Sequence, residues 1–332
     1  MSKVLVTGCA GFIMSHVCDH LIKSGHKVVG IDDLSGGFME NVPRGVTFKK
    51  ADICDAGAID LIFHAHKPDY VLHGAAYAAE GLSSFIRRYN YKTNVLGSMS
   101  LINSSVLHRV KGFVFLSSIA TYGHQKPPFT EKTPLSPADP YGIAKMTVEL
   151  DLKAAHEMFG LKYVVLRPFN TYGPRQNVGD AYRNVVGIFM NQCLQNQPMT
   201  IFGDGEQTRA FSYVDDVAPV IAALIDSSRL WGETFNLGGT HVLSVNALAE
   251  LVAKSMGVKK KVKYLPPRKE AVDAYCDTQR IVKLFHHLIQ NVHPEEGIPL
   301  MAKWVKKHGA RTTPKFANIE ITRNLPPSWA KL

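Results

Sequence analysis

A tyrosine and a lysine, Tyr141 and Lys145, lie four residues apart in the segment DPYGIAKMTVELDL. On a helix this spacing places both side chains on one face. Tyrosine is a poor base at neutral pH because its ordinary pKa is about 10, and a neighbouring lysine cation favours the phenolate. Ser117 and Ser118 end a preceding apolar segment, GFVFLSS, where a hydroxyl can bind the same substrate oxygen. The combination predicts acid–base chemistry at a carbinol, with hydride transfer to a nicotinamide cofactor.

The segment VLVTGCAGFIMSH, residues 4–16, is typical of a buried strand, a glycine turn and a helix. Gly8 and Gly11 allow a tight turn that approaches a pyrophosphate, and the helix from about Phe12 directs free N–H groups at that charge. Met14 stands where a third glycine is expected. That glycine serves helix packing, so we expect a shifted helix and weaker cofactor binding rather than loss of the site. The alternative is an ordinary βαβ turn.

Acidic residues follow the next two predicted strands. Asp32 ends KVVGID about 20 residues beyond the turn, where a carboxylate holds the adenosine ribose hydroxyls. A carboxylate there repels a 2′-phosphate, which favours NAD over NADP. Asp52 and Ile53 end the third predicted strand, at a position to meet the adenine.

Six apolar segments predict the strands that position these residues: KVLVTG, KVVGID, VTFKKAD, YVLHGAA, GFVFLSS and YVVLRPFN. Helical patterns alternate with them, which predicts an α/β fold with a Rossmann-type, doubly wound parallel sheet whose ligands bind at the carboxyl ends of the strands. We expect residues 1–170 to form the cofactor-binding domain and residues 171–332 a smaller substrate-binding lobe, with residues 209–235 returning to the first domain. The lobe should include short strands at MTIFGDG and TFNLGG and a helix that starts near Ser244.

Composition excludes several classes of protein. The 332 residues carry a net charge of +10, but the basic runs KKKVKYLPPRK and KWVKKHGARTTPKF lack nucleic-acid motifs, so we favour a solvated basic face over a nucleic-acid partner. No apolar run approaches the roughly 18 residues of a membrane span, and the first residues lack a signal-peptide pattern. Five scattered cysteines without metal-ligand spacing predict reduced thiols, no metal site and a cytoplasmic location.

The chain resembles the extended short-chain dehydrogenases/reductases, and most of all their NAD-dependent nucleotide-sugar epimerase/dehydratase family. The resemblance covers essentially the whole chain and rests on TGCAGFI, GIDDLSGG, HGAA, NVLGS, SSIATYG, YGIAK, RPFNTYGPRQ, FGDGEQTRAFSYVDDVA and FNLGG. It implies that Tyr141 is the catalytic base, that Lys145 is its partner and a ribose ligand, and that Ser118, rather than Ser117, is the helping hydroxyl.

The same resemblance implies the binding residues. It places NAD against Gly8, Gly11, Phe12, Ile13, Asp32, Asp52, Ile53, Ala75, Asn94, Tyr141 and Lys145. It places a UDP-sugar against Ser118, Asn170, Asn184, Arg209 and Arg268. It also implies a homodimer formed by the helices around residues 98–107 and 142–158, whose apolar faces would otherwise be buried within the monomer.

Ala120 favours one reaction within the family. Dehydratases and decarboxylases that the chain resembles carry an acid at this place, two residues before the tyrosine of the YG pair, and alanine cannot transfer a proton. We therefore expect 4-epimerisation through transient oxidation at C4 to a 4-keto sugar and return of the hydride to its other face. A dehydratase that uses Glu80 as its acid and a catalytically silent NAD-binding protein are the alternatives.

The identity of the sugar stays open among UDP-glucose/galactose, UDP-GlcNAc and UDP-glucuronic acid. Ala78 replaces a residue that is often lysine in the family, and Arg87 or Arg88 would suit a uronic acid if either faced the sugar. The gate for bulky sugars lies near Ala274 and Tyr275, and the resemblance does not decide which of them fills it.

Overall fold

A seven-stranded parallel sheet forms the centre of the computed structural model. The structure describes residues 1–268, 273–312, 316, 318–326 and 329. In sheet order the strands are β11 (Thr234–Leu237), β6 (Tyr163–Pro168), β5 (Gly112–Leu116), β4 (Tyr70–His73), β1 (Lys3–Thr7), β2 (Lys27–Asp32) and β3 (Val46–Lys50). Alternate residues of one strand face opposite apolar layers: Val4 and Val6 pack with the helix Phe12–Lys23, whereas Leu5 packs on the side of the helices Ala56–His66, Gly97–Leu107 and Pro140–Phe159. The predicted doubly wound α/β sheet is confirmed.

The strands are β1 Lys3–Thr7, β2 Lys27–Asp32, β3 Val46–Lys50, β4 Tyr70–His73, β5 Gly112–Leu116, β6 Tyr163–Pro168, β7 Thr171–Tyr172, β8 Met199–Phe202, β9 Thr208–Ala210, β10 Ser212–Tyr213, β11 Thr234–Leu237, β12 Val242–Ser244, β13 Val262–Leu265 and β14 Asp273–Ala274. Beside the main sheet lie three small ones, β10-β7, β12-β9-β14 and β13-β8.

The α-helices are α1 Phe12–Lys23, α2 Ala56–His66, α3 Glu80–Ser83, α4 Arg87–Tyr91, α5 Gly97–Leu107, α6 Pro140–Phe159, α7 Val185–Leu194, α8 Ala218–Ala223, α9 Val245–Met256, α10 Gln279–Phe285 and α11 Pro294–His308. A π-helical turn, Lys92–Leu96, leads into α5, and 3₁₀ turns include Met39–Asn41 and Ile119–Tyr122. No helix of the described residues is long and apolar enough to cross a membrane.

Strand β11 corrects the predicted strand count. TFNLGG was expected as a short strand of the second lobe, but Thr234–Leu237 pairs with β6 as the seventh strand of the main sheet. Phe235 and Leu237 are buried in the same apolar layer as α1 and α8, and Ile281 of α10 joins them. The burial of these side chains explains why the chain returns to the sheet here. The division into domains at residue 170 stays a prediction.

The rest of the chain has its own core. Helices α7, α9 and α11 pack together beside β8, and the buried side chains include Phe189, Leu248 and Met301. Ser244 caps α9, as predicted, by accepting a hydrogen bond from the Ala247 N–H. This second core lies on the side of the molecule where the carboxyl ends of β6 and β11 lead into their loops, so it can close over ligands at that edge.

Candidate functional site

The glycine turn has the backbone geometry that a bound pyrophosphate requires. Gly8 has a φ of 76°, and a Cβ atom added there would lie 3.0 Å from the Ala75 backbone nitrogen. Gly11 precedes α1, and within the described residues no side chain caps the N-terminus of this helix. The N–H groups of the first turn, which includes Phe12 and Ile13, are therefore available to an anion.

Asp32 holds the same turn in place. Its carboxylate accepts hydrogen bonds from the backbone N–H of Ala10 at 3.0 Å and of Leu34 at 2.8 Å. Burial raises the pKa of Asp32, and these two hydrogen bonds oppose the rise. The carboxylate lies directly beside the turn, which is where the ribose of a dinucleotide would meet it.

Met14 fills a space that another glycine leaves open. Its side chain is buried in the layer beneath the turn, and a Cβ atom on Gly74 would lie 2.4 Å from Met14 Cγ. Because Gly74 has no side chain, the methionine fits between α1 and the end of β4. The chain thus pairs a large residue at position 14 with the smallest one at position 74.

A loop that the sequence analysis did not assign supports the turn from outside. A Cβ atom on Gly37 would lie 2.6 Å from the Ala10 carbonyl oxygen. The buried Asn41 side chain and the Phe38 N–H both donate to that oxygen, at 3.1 and 3.0 Å. The motif GIDDLSGG was recognised, but this close approach arises only from the tertiary fold.

Helix α6 positions the predicted catalytic pair. Asp139 caps the helix by accepting hydrogen bonds from the N–H groups of Tyr141 and Gly142, at 2.8 and 3.0 Å. Tyr141 therefore stands in the first turn, and Lys145 Nζ lies 5.8 Å from the centre of its ring. The Lys145 ammonium donates to the Leu116 carbonyl at 2.7 Å.

The two side chains have opposite pKa shifts with one cause. Burial raises the pKa of Tyr141, and a hydrogen bond with the Ser118 hydroxyl opposes this rise. Burial lowers the pKa of Lys145 to about 7, against the attraction of the Glu149 carboxylate. Each shift favours the neutral form of its group, so Tyr141 is a protonated phenol, and Lys145 gains or loses its own proton near neutral pH.

The structure separates the two serines of the SSIATYG motif. Ser118 lies beside Tyr141, and its hydroxyl opposes the rise of the tyrosine pKa. Ser117 is buried and donates to the Glu149 carboxylate, which Arg167 Nε binds at 3.0 Å. Ser117 therefore belongs to an internal ion-pair network beneath the helix, not to the reacting face.

A buried hydrogen-bond chain joins the cofactor-side residues Ala75 and Asn94. The Ala75 N–H donates to Thr7 Oγ1 at 3.2 Å, Thr7 Oγ1 is 2.7 Å from His73 Nδ1, and His73 Nε2 is 2.8 Å from Ser98 Oγ. Ser98 in turn donates to the Asn94 carbonyl at 2.8 Å.

Burial lowers the pKa of His73 to about 3, so its ring is neutral. Because the Ser98 hydroxyl donates to Asn94, His73 Nε2 must carry the proton and donate to Ser98, and His73 Nδ1 accepts from Thr7. The Asn94 side chain, on the π-helical turn, accepts from the Tyr77 N–H at 2.8 Å. Sequence reasoning missed Thr7, His73 and Tyr77, because only the fold joins them.

Three predicted substrate residues meet around β7. The Asn170 amide donates to the Ala210 carbonyl at 3.0 Å, and Arg209 lies next to that carbonyl on β9. Asn184 caps α7, and its amide donates to the Thr171 carbonyl. Asn170 and Asn184 have φ values of 33° and 54°, a left-handed conformation that asparagine tolerates and that concentrates at functional sites.

Arg268, the fourth predicted substrate residue, lies between β8 and α3. Its guanidinium carbon is 3.8 Å from the centre of the Phe202 ring. Its Nη1 lies 3.6 Å from the position of a Cβ atom on Gly81, the residue after Glu80. Arg268 therefore lies close to α3, the helix that begins at Glu80.

The third strand is shorter than predicted. Strand β3 ends at Lys50, two residues before Asp52. Asp52 is exposed and accepts a hydrogen bond from the Cys54 N–H at 2.8 Å, while Ile53 is buried against Gly97 of α5. A loop rather than a strand end therefore presents Asp52 to solvent.

Comparisons with known proteins agree with this geometry. The family model described as "NAD dependent epimerase/dehydratase family" matches residues 4–238. The chain belongs to this family. It is 33% identical to a putative UDP-glucose 4-epimerase of Methanocaldococcus jannaschii, over 92% of this chain and 99% of that protein. It is 32% identical to a UDP-glucuronate 4-epimerase of Thermodesulfobacterium geofontis, over 98% and 99% of the two chains. The solved UDP-glucose 4-epimerase of Thermotoga maritima with UDP-glucose aligns with a TM-score of 0.86 at 37% identity, covering 92% of this chain and 99% of that one.

The expectation of epimerisation rests on position 120, where this chain has an alanine. Ala120 is buried in the 3₁₀ turn Ile119–Tyr122, and a Cβ atom on Gly142 would lie 2.5 Å from its carbonyl oxygen. Glu80 is exposed on α3, and its charge contributes to the raised pKa of Tyr141. Among the described residues, Glu80 is therefore the carboxylate to substitute in a test for dehydratase activity.

The two residues that the resemblance offers as the sugar gate lie in different surroundings. Ala274 is buried on β14 and pairs with Arg209 of β9, so it adjoins a predicted substrate residue. Tyr275 is partly buried against the cluster of Tyr122 and Cys276.

Proposed function

We propose that this protein is an NAD-dependent UDP-sugar 4-epimerase. The observation that supports this proposal most is the arrangement around Tyr141. Its phenol is buried beside the Ser118 hydroxyl, Lys145 lies one helical turn away, and position 120 is an alanine. A protein that only bound a nucleotide would not need the side chains of Ser118, Tyr141 and Lys145 together. With alanine at position 120, elimination has no acid there, whereas epimerisation needs none.

The cofactor site fits NAD. Gly8 leaves room that a Cβ atom would fill, the uncapped start of α1 faces the turn, and Asp32 supplies the ribose acceptor. Bound NAD would accept a hydride from C4 of the sugar and return it. Asp32 also disfavours a 2′-phosphate, because two negative charges would lie side by side.

The residues of the chain manage the proton at O4. The Tyr141 oxygen takes the proton from the O4 hydroxyl and later gives it back, so one group serves as base and acid. The Ser118 hydroxyl is proposed to donate a hydrogen bond to O4 of the sugar. The charged form of Lys145 stabilises the phenolate, since an adjacent cation lowers a tyrosine pKa.

Arg209 and Arg268 are proposed to bind the diphosphate of the substrate, with Asn170 and Asn184 beside them. Arginine suits this role because its planar guanidinium binds phosphate through two hydrogen bonds. Among sugars, we favour glucose/galactose over a uronic acid, because the Arg88 side chain is 91% exposed and lies 3.8 Å from Glu320, while the Arg87 guanidinium lies 6.0 Å from the centre of the Tyr91 ring.

We also propose a homodimer and a cytoplasmic location. Helices α5 and α6 carry exposed apolar side chains, among them Leu107, Leu150 and Met158. Five unpaired cysteines are consistent with a reducing compartment. Light scattering and cell fractionation test these two proposals.

Proton NMR of purified protein with UDP-glucose, UDP-GlcNAc or UDP-glucuronic acid tests the function. Without added NAD, we expect UDP-glucose to be converted into its C4 epimer. No keto or alkene product should accumulate in solution. Loss of water from the sugar would instead support a dehydratase, and Glu80→Gln would then abolish it. Absence of turnover with all three sugars, while NAD stays bound, would support a silent binding protein.

A further inference from the structure

The C-terminal segment, here the described residues Phe316, 318–326 and Trp329, packs against residues 85–89. The Glu320 carboxylate accepts hydrogen bonds from the Arg88 and Tyr89 N–H groups, at 2.9 and 3.0 Å, at the start of α4. The Glu320 N–H donates to the Phe85 carbonyl at 2.8 Å. These hydrogen bonds fix the segment beside α3 and α4.

Trp329 contacts a residue assigned to substrate binding. It is only 8% exposed, and its ring centre lies 5.4 Å from the Arg268 guanidinium carbon. Phe202 lies 3.8 Å from the same carbon. The Arg268 guanidinium is therefore held between two aromatic rings, which restricts the rotamers of a long side chain.

Phe316 supports a second arginine indirectly, through Tyr77. Its ring lies 5.3 Å from the Tyr77 ring, whose face holds the Arg183 guanidinium at 5.1 Å. Arg183 is paired with Asp180 at 2.6 Å, and its charge acts on the Tyr141 phenol. Neither Arg183 nor the C-terminal segment was assigned from the sequence.

We infer that Trp329, directly, and Phe316, through Tyr77, are positioning residues for substrate binding: they hold the Arg268 and Arg183 cations in place to meet the diphosphate of a nucleotide sugar. This inference rests on the proposed function. An arginine that is already ordered loses less side-chain freedom when an anion binds. The C-terminal segment thus contributes to substrate affinity without touching the reacting atoms.

The test compares Trp329→Ala, Trp329→Phe and the control Trp304→Ala in the full-length protein. Trp304 is a suitable control because it also lies near an arginine, at 5.7 Å from Arg311, but on α11, outside the site. We expect Trp329→Ala to raise KM and the Kd for UDP about fivefold to tenfold, with kcat within about twofold and NAD content unchanged. Trp329→Phe should restore most of the affinity, and Trp304→Ala should leave it unaltered.

A double substitution separates positioning from a merely structural role. If Trp329 acts through Arg268, Trp329→Ala should weaken UDP binding little further in an Arg268→Gln background. Equal losses in both backgrounds, unchanged UDP affinity in Trp329→Ala, or a loss confined to kcat would overturn the inference. A wild-type protein that neither binds UDP nor turns over a UDP-sugar would contradict the proposed function instead. If Trp329→Ala does not fold, Trp329→Leu carries the same comparison in both Arg268 backgrounds, with Phe316→Leu as a second variant.

Discussion

At the scale of single residues, the phenol of Tyr141 is the group on which the chemistry depends. We expect Tyr141→Phe to lower kcat by about 10²- to 10⁴-fold, since it removes the proton carrier but keeps the ring. NAD content and the Kd for UDP should change little. Single-turnover measurement with UDP-glucose checks this, and full activity in the variant would assign the proton to another group.

The buried ammonium of Lys145, which is 3% exposed, gives stability a defined pH dependence. Its pKa is about 7 in the folded protein against an ordinary 10.5. The unfolded chain therefore binds a proton that the folded chain has lost between these values, so the free energy of unfolding rises with pH in this window. The contribution of neutral Lys145 to the free energy of unfolding is complete above pH 10.5 and is lost as the pH falls to about 7.

Urea unfolding of cofactor-free wild-type protein and Lys145→Met, from pH 7 to 10, measures this contribution. The unfolding free energy of the wild type should increase relative to that of the variant as the pH rises, because other groups cancel in the difference. A pH-independent difference would mean that Lys145 keeps its ordinary pKa.

Some residues of the site could be predicted from sequence because their motifs are contiguous. Gly8, Gly11 and Asp32 follow from the spacing of one βαβ unit, and the structure places them together. The choice of Ser118 over Ser117 needed the resemblance, since spacing alone allows either. His73 and Thr7 could not be predicted, because their hydrogen bond joins residues 66 positions apart.

At the scale of elements, Met14 and Gly74 fix the distance between α1 and β4. Met14→Ala should destabilise the fold by about 2–5 kcal/mol, since it leaves a cavity. Gly74→Ala should also destabilise it, because its Cβ atom would lie 2.4 Å from Met14 Cγ. The double variant should lose less than the sum of the two.

Denaturant unfolding of the two single variants and the double variant gives the coupling free energy. Gly160→Ala is a useful reference: a Cβ atom there meets nothing within 4 Å, so Met14 should not couple to it. Additive losses for Met14→Ala and Gly74→Ala would show that the two side chains do not share this space.

Elements with local signals were predictable, and those that depend on distant pairing were not. The helix after Ser244 has a capping residue and an apolar face within one segment, and it forms as predicted. Strand β11 has only four residues and follows the last predicted sheet strand by more than 60 positions. Its place in the main sheet depends on pairing with β6 and on burial of Phe235, which no local pattern reveals.

At the scale of the whole molecule, α6 leaves an apolar face uncovered in the monomer. Leu150 and Met158, two helical turns apart, are 57% and 75% exposed, and Leu107 at the end of α5 is 72% exposed. Burying such side chains against a second copy would release about 25 cal/mol for each Å² removed from water. A symmetric contact suits this face, because the same two helices meet in both copies.

The double variant Leu150→Glu/Met158→Glu should therefore convert a dimer into a monomer of 36.7 kDa, measured by light scattering after gel filtration. Two carboxylates per chain would face their own copies across the symmetry axis. The contact would then lose apolar burial and gain electrostatic repulsion. Leu61→Glu is the matched control, since Leu61 is 70% exposed on α2, outside this face. If both variants keep the mass of the wild type, the copies associate through another surface; if the wild type is itself monomeric, α6 needs no partner of its own kind.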